Sequence, residues 1–143
     1  MQLFSVCVIS LLSLFLSASA SAADLAIIVK NIRNDAGILL VAVCDAPSFL
    51  ETGCPYQGRV AADGRQAELV FVDVEPGRYA VQIVHDENAN ETLDRNVLGV
   101  PKEGYGFSNN PASPFGPPSF DAAAIAVGEE TIQVRVALRY LFD

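Results

Sequence analysis

The feature that most constrains this chain is a hydrophobic alternation with a period of two. It is plainest in the stretch Thr131–Tyr140, where Ile132, Val134, Val136, Leu138 and Tyr140 fall on one side and Thr131, Gln133, Arg135 and Arg139 on the other. Successive side chains of a strand point to opposite faces, so this pattern describes a half-buried antiparallel strand. Similar β-rich segments are Leu25–Ile32, Ile38–Cys44, Ala67–Val74, Arg78–His85 and Phe120–Val127, with a weaker one at Gln57–Ala62. Turn chemistry separates them: Asn34-Asp35-Ala36-Gly37, Asp63-Gly64, Glu75-Pro76-Gly77 and Gly128-Glu129. Asp63-Gly64 in particular predicts a tight type I′ hairpin. No long segment carries helical periodicity with caps. A chain of 143 residues with about seven short strands predicts one all-β domain, an antiparallel β-sandwich.

The N-terminus reads differently. Leu3–Leu16 is an apolar run followed by the small residues Ala18-Ser19-Ala20 and Ala20-Ser21-Ala22. It is shorter than the ~20 residues that cross a bilayer, and its place and flank are those of a secretory signal peptide, although no Lys or Arg precedes it. Residues 1–22 are therefore expected to be a signal peptide and 23–143 the sandwich. The mature chain would carry no transmembrane span and lie in the periplasm or outside the cell. Removing the leader takes away Cys7 and no charged side chain, so the net charge stays at −8. That sign opposes phosphate backbones and anionic lipid surfaces, which argues against nucleic acid and favours cations or basic surfaces. Cys44 and Cys54 remain, and in an oxidising compartment their pairing as a disulfide is expected over two free thiols.

One connection is abnormally long. From Asp86 to Ser119 no strand is predicted, whereas loops beyond about 12–15 residues are uncommon in compact domains. It holds Pro101, Pro111, Pro114, Pro117 and Pro118 together with Tyr105, Phe107 and Phe115, an aromatic content that disordered linkers lack. It is read as an ordered excursion packed over the sandwich, where binding residues concentrate. Its first part places oxygen side chains at Asp86, Asn88, Asn90 and Asp94, which matches positions 1, 3, 5 and 9 of an EF-hand-like calcium loop, with the Thr92 carbonyl at position 7. A hard cation needs six to eight oxygens, and alternate residues of a curled loop can point inward together. Glu91 stands where such a loop has glycine and Val97 where it has its bidentate acid, a place that Glu87, Glu91 or Glu103 would have to fill. The competing reading is a metal-free turn in which Asp and Asn cap their own backbone.

His85 is the only histidine and lies beside this acid cluster, but no nucleophile is placed for it to activate. A strand-end histidine bonded to backbone or carboxylate is the simpler account. Neither Gly-x-Ser-x-Gly nor a Cys–His signature occurs, so a non-enzymatic protein is expected. Glu103, Tyr105, Phe107 and Phe115 form a candidate ligand loop, with burial of the aromatics against the sandwich as the alternative. Tyr79, in register with Val81 and Ile83, reads as a core tyrosine tying down a strand corner.

The ordered series Phe71-Val72-Asp73-Val74-Glu75-Pro76-Gly77-Arg78-Tyr79, His85-Asp86-Glu87-Asn88-x-Asn90-x-x-Leu93-Asp94, Gly99-Val100-Pro101-x-Glu103-Gly104-Tyr105-Gly106-Phe107-Ser108 and Pro117-Pro118-Ser119-Phe120 resembles the bacterial domain-of-unknown-function 2141 family across the mature chain. The resemblance implies a small exported protein with an immunoglobulin-like or transthyretin-like sandwich and no established activity. Ala89 and Glu91 stand where that family often has glycine. The Pro-Gly-x-Tyr segment is also similar to accessory sandwiches of the carboxypeptidase-regulatory type.

Three functional expectations follow. The first is a non-enzymatic exported sandwich, stabilised by calcium, whose loop surface binds a protein, glycan or small ligand. The second is a metal-assisted hydrolase using His85 and the acidic cluster. The third is a purely structural envelope module joined through a strand edge.

Overall fold

The computed structural model describes residues 22–142. The expected signal peptide, but for Ala22, lies outside the described residues. Within them are eight strands and one helical turn: β1 (Ala23–Lys30), β2 (Ile38–Cys44), β3 (Tyr56–Ala61), β4 (Gln66–Val74), β5 (Gly77–Asp86), β6 (Gly104–Phe107), α1 (Phe120–Ala123), β7 (Ala124–Val127) and β8 (Ile132–Ala137). They build an all-β sandwich of two sheets. The three-stranded sheet runs β4-β1-β8 and the larger one β3-β2-β5-β6, with β7 also on β5. Alternate residues enter the space between them: Leu25, Ile27 and Val29 of β1, Leu39, Val41 and Val43 of β2, Val81 and Ile83 of β5, and Val134 and Val136 of β8. Burying such side chains contributes about 1.5–3 kcal/mol each, which is why the period-two pattern dictates the architecture.

Four details depart from the sequence reading. First, the sandwich is not wholly antiparallel, because β8 pairs parallel to β1, Leu25 opposite Ile132 and Lys30 opposite Ala137. The chain reaches β8 from β7 in the opposite sheet rather than through a hairpin. Second, Asp63-Gly64 does not close a hairpin. β3 is an edge of one sheet and β4 of the other, so the chain changes sheets here. Ala62 is buried, and the Gly64 N–H donates to the Asp35 carboxylate at 2.8 Å, which ties this corner to the β1–β2 turn.

Third, Phe120–Val127 begins as a helical turn. The Ser119 hydroxyl caps it by accepting the Ala122 N–H at 3.3 Å, and Asp121-Ala122-Ala123 lacks the β-branched side chains that hold a strand. Fourth, the long excursion contains β6, raising the strand count to eight. Its inward positions are Gly104 and Gly106, which leave no apolar alternation to read. The glycines are required by close approach: a Cβ on Gly106 would lie 2.8 Å from Val136 Cγ1 and 3.0 Å from the Ala137 carbonyl, and one on Gly104 would enter the Tyr140 ring. Here β8 leans across to the larger sheet. The Tyr105 and Arg139 backbones exchange hydrogen bonds at 3.0 and 2.8 Å, closing that side of the sandwich.

A second, smaller core sits on the outer face of the larger sheet. Cys44 and Cys54 form a disulfide, and with Phe49, Ala80 and Ala123 they make a buried cluster flanked by Phe107 and Phe120. A ring of this size stabilises a fold by about 2–3 kcal/mol, chiefly through the unfolded chain. The Phe49 ring meets Phe107 and Phe120 edge-on, with centroids 5.9 and 5.8 Å apart. At the β4–β5 corner the Tyr79 hydroxyl donates to the Glu75 carbonyl at 3.0 Å, and burial, with Tyr56 beside it, pushes the phenol up to about 12. Among the described residues no helix is long and apolar enough to cross a membrane.

The packing at β6 carries a direct test. Gly106→Ala should lower unfolding stability by about 1–3 kcal/mol, the usual cost of overpacking, read as a reduced urea midpoint. An unchanged midpoint would show that β6 does not press on β8.

Candidate functional site

The excursion after β5 is an ordered structure held by its own polar groups. It opens at Asp86, which is fully buried. One oxygen of its carboxylate accepts the Asn90 N–H at 3.1 Å and the other the Glu91 N–H at 2.6 Å. Glu103, just before β6, is buried as well, and it accepts the N–H groups of Glu87 and Asp94, each at 3.0 Å. Two buried carboxylates thus receive four backbone donors. Bonds to a charged acceptor contribute about 1.5–3 kcal/mol, and leaving such donors unpaired costs about 1–3 kcal/mol. The loop's outer acids are committed too. Glu87 bonds Arg33 at 2.6 Å and Asn34 at 2.8 Å, and Glu91 bonds Arg59 at 2.5 Å. Burial alone would raise the Glu87 carboxyl, but the Asn34 amide and the Arg33 guanidinium hold it below the usual carboxylate range.

The residues expected to ligate calcium gather around one group. The amide nitrogens of Asn88 and Asn90 donate to the two oxygens of Asp94 at 2.7 and 3.0 Å. Asp86 Oδ1 and Asn88 Oδ1 each lie 3.1 Å from the Asn90 N–H, and the Asn90 side-chain oxygen accepts both the N–H and the hydroxyl of Thr92 at 2.9 and 2.8 Å. Ala89 and Glu91 have φ of 57° and 64°, a left-handed conformation that favours glycine. The backbone therefore curls as a cation loop does. The donor set is nonetheless lean. Only Asp86 and Asp94 bring charge, and Glu103, Glu87 and Glu91 are engaged elsewhere. Among the described residues no three His, Cys, Asp or Glu side chains are grouped to hold a metal ion. For a cation to sit beside Asp94, the two asparagine amides must turn their oxygens inward and release the backbone bonds those oxygens now make.

His85 is fully buried on the core side of β5. Its Nε2 lies 2.8 Å from the Ala36 carbonyl, which only accepts, so Nε2 carries the hydrogen; Nδ1 then accepts from the Tyr140 hydroxyl at 2.8 Å. Both nitrogens are occupied and neither faces a cleft.

Past Glu103 the strand β6 turns its aromatics outward. Tyr105 and Phe107 are half-buried, while Phe115 is fully exposed. All three line an open groove of about 1210 Å³ on the outer face of the larger sheet. Its floor is formed by Leu40, Ala42, Gln82, Val84, Tyr105 and Phe107, and its walls by Leu93, Arg95 and Gly99–Pro101, by Ser113–Pro117 and by Leu50-Glu51. Glu103 does not line it but holds up one wall from inside. Ser108 fixes the other: its N–H donates to the Val81 carbonyl at 3.0 Å, its hydroxyl accepts the Val81 N–H at 2.8 Å and itself donates to the Ala123 carbonyl. Asn109 and Asn110 continue this stitching to Ala124 at 2.9 Å and Ala137 at 2.8 Å. Sequence reasoning marked Tyr105 and Phe107 but missed Ser108 and the rest of the floor, Leu40, Ala42, Gln82 and Val84. The floor residues come from three strands whose outward positions read singly as solvent-facing, and an isolated serine carries no signal of burial.

Neither the curated proteins nor the solved structures give a match to this chain. A family model described as "Uncharacterized protein conserved in bacteria (DUF2141)" matches residues 27–135, from within β1 to within β8. This span includes the whole excursion, and the chain belongs to that bacterial family.

Proposed function

We propose that this protein is an exported, non-catalytic binding module in which the loop Asp86–Asp94 takes up one calcium ion and stiffens the wall of the groove beside it. The observation that carries the reading is the convergence of Asn88 and Asn90 on the Asp94 carboxylate, with Asp86 behind them and Glu91 in the left-handed turn. Two carboxylates with neutral partners make a low-charge site, so its affinity falls in the range of extracellular modules, about 10⁻⁴–10⁻³ M. Calcium outside the cytoplasm is abundant enough to fill such a site. Export is supported by the apolar run Leu3–Leu16 with its small-residue flank, and by the Cys44–Cys54 disulfide. The hydrolase alternative fares worse, because His85 could take a proton from a substrate only if the core opened.

A second reading, a structural module that assembles through a strand edge, is favoured by β4. This strand is an edge of its sheet, and it leaves Val70 and Val72 46% and 64% exposed.

Each reading has its measurement. Ten millimolar calcium should raise the melting temperature over that in chelator by several degrees, corresponding to about 1.4–2.7 kcal/mol at 10–100 times the dissociation constant. Asp94→Asn should abolish the shift, and identical melting curves for the natural chain in the two buffers would defeat the calcium reading. In light scattering the binding module is a monomer; a stable oligomer that Val72→Lys dissolves would establish the edge-assembly reading instead.

A further inference from the structure

The groove has a chemical character of its own. Its floor is apolar at Leu40, Ala42, Val84 and Phe107, and Phe115 stands fully exposed at its wall. Its charge runs against that of the chain. The whole protein carries −8, yet Arg59, Arg95 and Arg139 line the groove against Glu51 and Glu91. Arg59 is neutralised by Glu91 at 2.5 Å. Arg95 and Arg139 donate only to carbonyl oxygens, those of Gly99 at 3.0 Å and Asn110 at 3.2 Å, and among the described residues neither has a carboxylate within 4.0 Å. A guanidinium is built to receive a carboxylate bidentately. The Tyr105 ring lies between these features, half-buried at the floor.

We propose that the groove seats a free long-chain carboxylate, with its hydrocarbon chain along Leu40, Ala42, Val84 and Phe107 and its head drawn to Arg95 and Arg139. Apolar contact supplies the affinity and the arginines set the orientation. The free amphiphile is favoured over a bilayer because the net charge of −8 repels an anionic membrane surface. The inference rests on the reading of this chain as a binding module but not on its calcium loop. The floor belongs to β2, β5 and β6, and the loop keeps its shape through Asp86 and Glu103 without a cation.

The test is a calorimetric titration of the purified mature protein with dodecanoate, below its micelle concentration and in chelator. Dodecanol, butyrate and phosphatidylglycerol vesicles serve as comparisons. Saturable binding of one dodecanoate is expected, with dodecanol at least tenfold weaker and butyrate silent. The double variant R95Q/R139Q, altered only at exposed positions, should bind dodecanoate at least tenfold more weakly while keeping its melting temperature. A Val84→Glu variant, checked for an unchanged circular dichroism spectrum, should lose binding. The proposal is overturned by the absence of saturable dodecanoate binding, by equal binding in the double variant, or by equal binding of butyrate. Vesicle binding tighter than dodecanoate binding would likewise replace it with a membrane-surface role. Because chelator is present throughout, failure here leaves the calcium reading standing, and a calcium-insensitive protein that binds dodecanoate leaves this one standing.

Discussion

The pairing of the Glu103 carboxylate with the N–H groups of Glu87 and Asp94 is the contact on which the rest of the site depends. It joins the two ends of the polar loop to the residue just before β6. Without it, the loop would be held to the sheet mainly by its outer ion pairs, and β6 would lose its anchor. With it, Gly104 and Gly106 face Tyr140 and Val136, and Tyr105 and Phe107 are turned to the outside. Burying a carboxylate is costly unless its lone pairs are filled. Here the cost is offset by backbone donors that would otherwise be orphaned in a non-repetitive segment. Asp86 repeats the device, accepting the N–H groups four and five residues further along the same loop.

The two ends of the outer face are managed differently. At one end the disulfide, Phe49 and the helical turn Phe120–Ala123 cover the sheet with a small hydrophobic core. At the other the polar loop stands over it, braced by Arg33–Glu87 and Arg59–Glu91. Ser108, Asn109 and Asn110 knit the gap between β6 and β7 on the single edge of β5 that both occupy. What is left uncovered is the middle of the face. The groove is thus a consequence of how the ends are closed.

Much of the scaffold was legible because burial on one face imposes alternation, which β8 carries cleanly, while β1, β2 and β5 read as apolar, β-branched runs bounded by turn residues. The disulfide was legible as the pairing of Cys44 with Cys54, the two cysteines left once the expected leader with Cys7 is set aside. β6 was not, because glycine leaves no hydrophobic signature where two strands press together. The change of sheet at Ala62–Arg65 was hidden behind a dipeptide that more often closes a hairpin. Within the site, the acidic spacing marked the loop, but it did not reveal that Glu103 serves the backbone. Nor could it reveal that His85 is sealed between Ala36 and Tyr140, a partner fifty-five residues away. The sequence marked Tyr105, Phe107 and Phe115, but the rest of the floor escaped because Leu40 and Val84 meet them only after the sheet has formed.

The central claim is that the excursion is a rigid part of the fold, locked by two buried carboxylates. Hydrogen exchange followed by NMR tests it most directly, at the amides of Glu87, Asn90, Glu91 and Asp94. The account predicts that these four exchange at least a hundredfold more slowly than unstructured amides, in chelator as well as in calcium, although they lie outside regular β-ladders or at their ends. Exchange at unprotected rates would contradict it, and would leave the loop as a loose connection with no wall to offer a ligand.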